Sequence, residues 1–220
     1  MKKIMSLTIL LSALTLQSIN KSTSASIDSL AHNLCCYLFG KEEACKEVQD
    51  YFHGAALDFK MISQYHPVKY INSCPFLQQF SGFTWSGSWV NEKAWKEMSS
   101  EEKEWDAHHE TAHTLLQHPQ KQLLVAGLTV LLTSLFNRTL KLNTLPSLFT
   151  MASSLAFVTS RYARQCEKNA DLATAKSLLC FNRKDIIDAH IQNLAQQPNN
   201  FSLWFYSPED QINYLENDSV

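Results

Sequence analysis

The sequence predicts an α+β chain that is mainly helical, and three observations carry that expectation. Glycine (5) and proline (6) are scarce in 220 residues, so long stretches run without the residues that punctuate turn-rich β folds. Leu30, Leu34 and Leu38, and later Leu57 and Met61, recur at helical spacing. A single segment alternates with period two, with Phe83, Trp85 and Trp89 on one side and Thr84, Ser86 and Ser88 on the other. Hydrophobic residues at 45% and charged residues at 18% exclude general disorder, and a formal net charge of −2 leaves no basic footprint for nucleic acid. This length suits one medium-sized domain, or one domain with an appendage.

Taken in order, residues 1–25 read as an address. Lys2 and Lys3 precede an apolar run over 4–16, and small residues follow, with Thr23 and Ala25 placed for signal peptidase. A run of roughly 13 residues suits a cleavable signal peptide better than a retained anchor, which needs about 20. The expectation is export to a periplasm or cell envelope. Six cysteines then acquire meaning: an even count in an oxidising compartment permits disulfides, although none forms a C-x-x-C pair and spacing cannot choose the partners. Cys166 and Cys180 read equally well as buried free thiols. Residues 26–80 read as a helical N-terminal segment, interrupted at His66-Pro67 and Cys74-Pro75. Residues 81–220 read as the functional domain.

The period-two segment 83–89 reads as a half-buried strand. Thr84, Ser86 and Ser88 would lie on an edge able to take an extended peptide; the competing reading is an interior strand or short hairpin serving only the core. Next comes a helix marked by a capping box, Ser99 with Glu102, and closed at His118-Pro119. Inside it lies His109-Glu110-Thr111-Ala112-His113. Positions i and i+4 share a helix face, so both imidazoles can reach one zinc ion. Glu110 then sits beside the open coordination position, where it can move protons. With 8 histidines in the chain, chance supplies such a pattern on the order of 0.02 times. The bland reading is a solvated histidine-rich helix end, with His108 and His118 favourable near the dipole. A third ligand must come from elsewhere. Glu167 and Asp171, four apart on a later predicted helix, make chemical sense: the glutamate completes a His₂Glu set and the aspartate accepts an N–H from a ligand imidazole.

The segment 89–102, the H-E-T-A-H motif, His118 five residues on and Glu167-Lys168-Asn169-Ala170-Asp171 together resemble the HtpX-like and CAAX-prenyl-protease-like zinc metallopeptidases. These form the forty-eighth metallopeptidase family, of gluzincin type, and the similarity covers roughly residues 81–215. The resemblance implies a zincin-like domain with a small sheet beside the H-E-x-x-H helix. It also implies one zinc ion on His109, His113 and Glu167, with Glu110 as catalytic acid/base. Where such proteins carry His-Pro and then an arginine, this chain has Ser207-Pro208 and Gln211. An oxyanion or substrate contact would therefore fall to another residue, His190 or Tyr206, although base rates favour reading either as an ordinary surface or core aromatic.

Two apolar runs, 122–136 and 142–160, separate the motifs. They read either as a membrane hairpin, as in HtpX-like proteins, or as two core helices buried on most sides; the length criterion favours core helices. The expected function is an exported zinc endopeptidase acting on protein or peptide substrates, possible membrane association included. The alternatives are a catalytically idle relative serving as a chaperone-like or assembly module in the envelope, and a disulfide-stapled binding module.

Overall fold

The computed structural model describes residues 43–62, 65, 67–70, 82–84, 87–198 and 205–218. Residues 1–42 and 71–81, and with them the predicted leader, most of the first expected helical stretch and the cysteines at 35, 36 and 74, lie outside the described residues. Helices dominate. They are α1 (Lys46–Asp58), α2 (Glu92–Glu97), α3 (Ser100–Leu115), α4 (His118–Thr139), α5 (Thr144–Cys180), α6 (Lys184–Gln196) and α7 (Pro208–Asp218). Among the described residues three short strands, β1 (Lys69–Tyr70), β2 (Gly82–Thr84) and β3 (Gly87–Val90), form one sheet in the order β1-β3-β2.

The alternating segment is thus a hairpin rather than one strand. β2 and β3 pair antiparallel, with Gly82 opposite Trp89 and Thr84 opposite Gly87, and β1 joins β3 in parallel. The antiparallel pairing joins main-chain groups of the two halves to each other, which a single strand would leave open.

Two apolar cores flank α3. The first draws Val48, Phe52 and Ala55 from one face of α1 against Tyr70, Val90, Trp95 and Ala107, so its packing crosses residue 80. Trp95 meets Tyr51 edge-on at 5.7 Å and Phe52 at 5.9 Å. Gln49 sews the loop before β1 to α1, donating to the Val68 carbonyl at 2.8 Å and accepting its N–H at 3.0 Å. The second core packs Trp105 of α3 against Ala175 and Leu178 of α5, Ile186 and Leu194 of α6, and Leu215 of α7. Arg183 grips Glu104 with two nitrogens, at 2.6 and 2.8 Å, fastening the α5–α6 link to α3.

The α3 N-terminus carries the full capping box, both Ser99–Glu102 bonds being present. Its other end differs from expectation. The helix stops at Leu115, Gln117 turns left-handed at φ 55°, and His118-Pro119 opens α4. Proline is well placed there because the first turn of a helix has no intrahelical partner for its N–H.

The second apolar run and the Glu167–Asp171 segment belong to one helix, α5, 37 residues and about 55 Å long. Cys166 and Cys180 lie on this same helix as free thiols, about 21 Å apart, so they do not bridge. The first half of α5 packs back along α4. Contrary to the favoured reading, this α4–α5 hairpin is not buried on most sides. Leu128, Leu132, Phe136, Leu145, Phe149 and Phe157 are 48–81% exposed, while its buried residues include Thr129, Asn137 and Ser160. Asn137 bridges the pair, donating to Ser147 and accepting from Thr150 at 2.9 Å. Among the described residues, no helix is long and apolar enough to cross a membrane.

Candidate metal centre

His109 and His113 project from the buried half of α3 toward the second half of α5, where Glu167 faces them. The one-turn spacing sets the two rings edge-on, their centroids 4.7 Å apart at 63°. His109 Nε2 and His113 Nε2 are 3.0 Å apart, and Glu167 Oε2 lies 3.3 Å from the first and 3.6 Å from the second. These three residues form a group that could hold a metal ion. Burial opposes ionisation of Glu167, but hydrogen bonds and charge from His109 and His113 outweigh it and hold the carboxyl well below its usual range. Burial likewise depresses His113. For His109 burial acts the same way, yet Asp171 and Glu167 overcome it and raise the imidazole.

Each imidazole of the group is held on its far nitrogen. His109 Nδ1 donates to Asp171 Oδ1 at 2.8 Å, which leaves Nε2 free to present a lone pair. His113 Nδ1 lies 3.0 Å from His118 Nδ1, a side chain only 2% exposed. With His113 Nε2 facing the cluster, its Nδ1–H donates and His118 accepts. Burial and the neighbouring His113 push His118 down to about 3, so it stays a neutral acceptor. The adjacent His108 is not a solvated helix-end charge. It is buried, and it links the Glu104 carbonyl to Asp58 at the end of α1.

Glu110 is 5% exposed and its Oε2 is buried without a hydrogen-bond partner. Burial is the main reason its carboxyl is raised well above the usual range. A buried carboxyl with one unpartnered oxygen, near enough to His109 and Glu167 to feel their charges, is where a proton-transfer group would stand.

The structure therefore brings together His109, Glu110, His113, Glu167 and Asp171 from two helices whose motifs lie far apart in sequence. The remaining sequence candidates fall elsewhere or at the margin. His190, on α6, stacks flat on Trp105 at 3.9 Å, one turn before His109. Burial lowers it to about 4, and it lies near enough to Asp171 and His109 to feel their charges. Tyr206 packs edge-on against Tyr214 at 5.8 Å. Ser88 is buried on β3, the middle strand, which removes it from any free edge. Thr84 ends β2, the outer strand, and Ser86 lies outside the described residues. Sequence reading missed Tyr214, whose hydroxyl donates to Asp171 from 43 residues away; no local pattern signals such a contact.

Compared with known proteins, the chain matches no family model, no curated protein and no solved structure at a significant level.

Proposed function

We propose that this chain is a zinc-dependent endopeptidase of zincin-like, gluzincin type. The carrying observation is the donor triangle of 3.0, 3.3 and 3.6 Å between two imidazole nitrogens and one carboxylate oxygen. A tetrahedral zinc ion, with bonds of about 2.0–2.1 Å, needs its ligand atoms about 3.3–3.4 Å apart. Two imidazoles and a glutamate are also the donor set of hydrolytic zinc sites, whereas calcium and magnesium favour oxygen throughout. The ordered motifs H-E-x-x-H and E-x-x-x-D, and their resemblance to the HtpX-like peptidases, support the same reading.

When bound there, zinc supplies Lewis acidity toward a peptide carbonyl and acidifies water. The rest is work for the chain. Asp171 and His118 fix the two imidazoles so that both Nε2 atoms face the cluster. Glu110, with Oε2 unpartnered, takes a proton from the attacking water and returns it to the departing amine nitrogen. The outer strand β2 offers main-chain groups along which an extended peptide substrate could pair. The leader-like residues 1–25 support export. The apolar surface of the α4–α5 hairpin supports work at a lipid surface, on membrane-proximal proteins.

The test is metal analysis beside peptidase assays on an unfolded protein substrate. His109→Ala, His113→Ala and Glu167→Ala should each lose zinc, whereas Glu110→Gln should keep zinc and lose hydrolysis. Wild-type zinc content in Glu167→Ala would strike that residue from the ligand set. A zinc-loaded wild type that cleaves nothing would favour an idle assembly module, and a chain that binds no zinc would favour a simple binding module.

A further inference from the structure

Asp171 accepts hydrogen bonds from two directions. His109 Nδ1 lies 2.8 Å from its Oδ1, and the Tyr214 hydroxyl donates to its Oδ2. Asp171 is 4% exposed and Tyr214 6%, so water scarcely competes for either bond. Tyr214 comes from the last described helix, α7, anchored by the fully buried Leu215 beside it. Its ring is held on other sides as well: Lys168 Nζ stands 5.0 Å over it and Tyr206 meets it edge-on.

We infer that Tyr214 is a positioning residue for the metal centre, acting through Asp171 on His109. By occupying Oδ2, the hydroxyl prevents the carboxylate from turning and keeps Oδ1 on the Nδ1–H of His109. That bond holds the imidazole in the tautomer whose Nε2 lone pair faces His113 and Glu167. A tyrosine suits this task in a specific way. It donates one hydrogen bond from a rigid ring, and being neutral it leaves the aspartate's negative charge to act on the imidazole. A cation in the same place would draw that charge toward itself. Gln211, at the place where HtpX-like proteins would carry arginine, donates to the Tyr206 carbonyl at 2.9 Å, and the donor to Asp171 comes from Tyr214, three residues further along α7. The C-terminal helix thereby becomes part of the metal centre's framework without supplying a ligand.

This inference rests on the metal-centre reading, and the experiment separates the two. Zinc affinity is measured by competition with a chromophoric chelator for the wild type, Tyr214→Phe, Asp171→Asn and the double variant. Tyr214→Phe should weaken zinc binding about 10- to 100-fold. In the Asp171→Asn background it should add little, because the residue it works through no longer holds the charge. A wild type that binds no zinc overturns the metal reading, and this inference with it. A zinc-binding wild type with an equally competent Tyr214→Phe overturns the tyrosine's role alone, as does a full additional loss in the double variant. Should Tyr214→Phe not fold, hydrogen exchange on the wild type decides. Zinc should slow amide exchange in α7 more than in α1, and equal or absent slowing in α7 would overturn the inference.

Discussion

Glu110 and Asp171 are buried carboxyls within one turn of a candidate ligand, yet their surroundings give them opposite tasks. Asp171 receives donors on both oxygens and stays a fixed acceptor, whereas Glu110 Oε2 has no donor and burial pushes its carboxyl up. Asp171→Asn should therefore lower zinc affinity about 10- to 100-fold in a protein that still folds, as measured by chelator competition. His118 makes a parallel case on the other imidazole. His118→Phe removes the acceptor for His113 Nδ1 while keeping bulk, and zinc affinity should fall by about tenfold or more in the same assay. Unchanged affinity would make His118 a packing residue. At this scale the histidine pair was legible because i, i+4 spacing on a capped helix is a local geometry. Tyr214 was not, since its partner is set by how α7 docks on α5.

Helix ends show the limits of sequence reading more sharply than helix interiors. With 5 glycines in the chain, the usual left-handed stop signal is rare. The structure instead closes α1, α3, α4 and α5 with Lys60, Gln117, Lys141 and Asn182 at φ of 52–58°. At Lys60 the N–H reaches Leu57 O at 2.9 Å and the next N–H reaches Ala56 O at 2.7 Å, satisfying carbonyls that the helix end would leave open. Lys141 and Asn182 repeat the pattern. A side chain in this conformation costs about 1–2 kcal/mol, partly offset by glycine's greater freedom in the unfolded chain. Lys60→Gly and Lys141→Gly should each stabilise the protein by about 0.5–1 kcal/mol in urea titrations. A loss of stability would mean that the lysine stems pack usefully. The same lack of punctuation let two sequence segments merge into the single α5.

For the whole molecule, the unusual feature is an inverted hairpin attached to an ordinary double core. Around α3 the apolar side chains are inside; along α4 and the first half of α5 they face outward while Asn137, Ser147 and Thr150 bond across the interior seam. Leaving such side chains in water forgoes about 25 cal/mol per Å² of apolar surface, so a lipid environment is the proposed surrounding. The full chain should float with anionic lipid vesicles, Arg138 and Lys141 at the hairpin end favouring that charge. Leu132→Glu with Phe149→Glu should abolish flotation while leaving zinc content unchanged. A wild type that stays with the soluble fraction, vesicles present, would sink the lipid proposal.

The sequence alone determined the helical class and the capped helix that carries His109, Glu110 and His113 on one stretch, because periodicity, caps and i, i+4 spacing are written within a few residues. It also named Glu167 and Asp171, whose chemistry fits a ligand and its orienting partner. Tertiary structure decided the rest. It set the donor atoms 3.0–3.6 Å apart, since that separation depends on how α5 crosses α3. It turned the alternating segment into a hairpin and took Ser88 off any edge, since pairing is a relation between strands. And it turned the apolar runs outward, because hydrophobicity says that a side chain avoids water but not what will cover it.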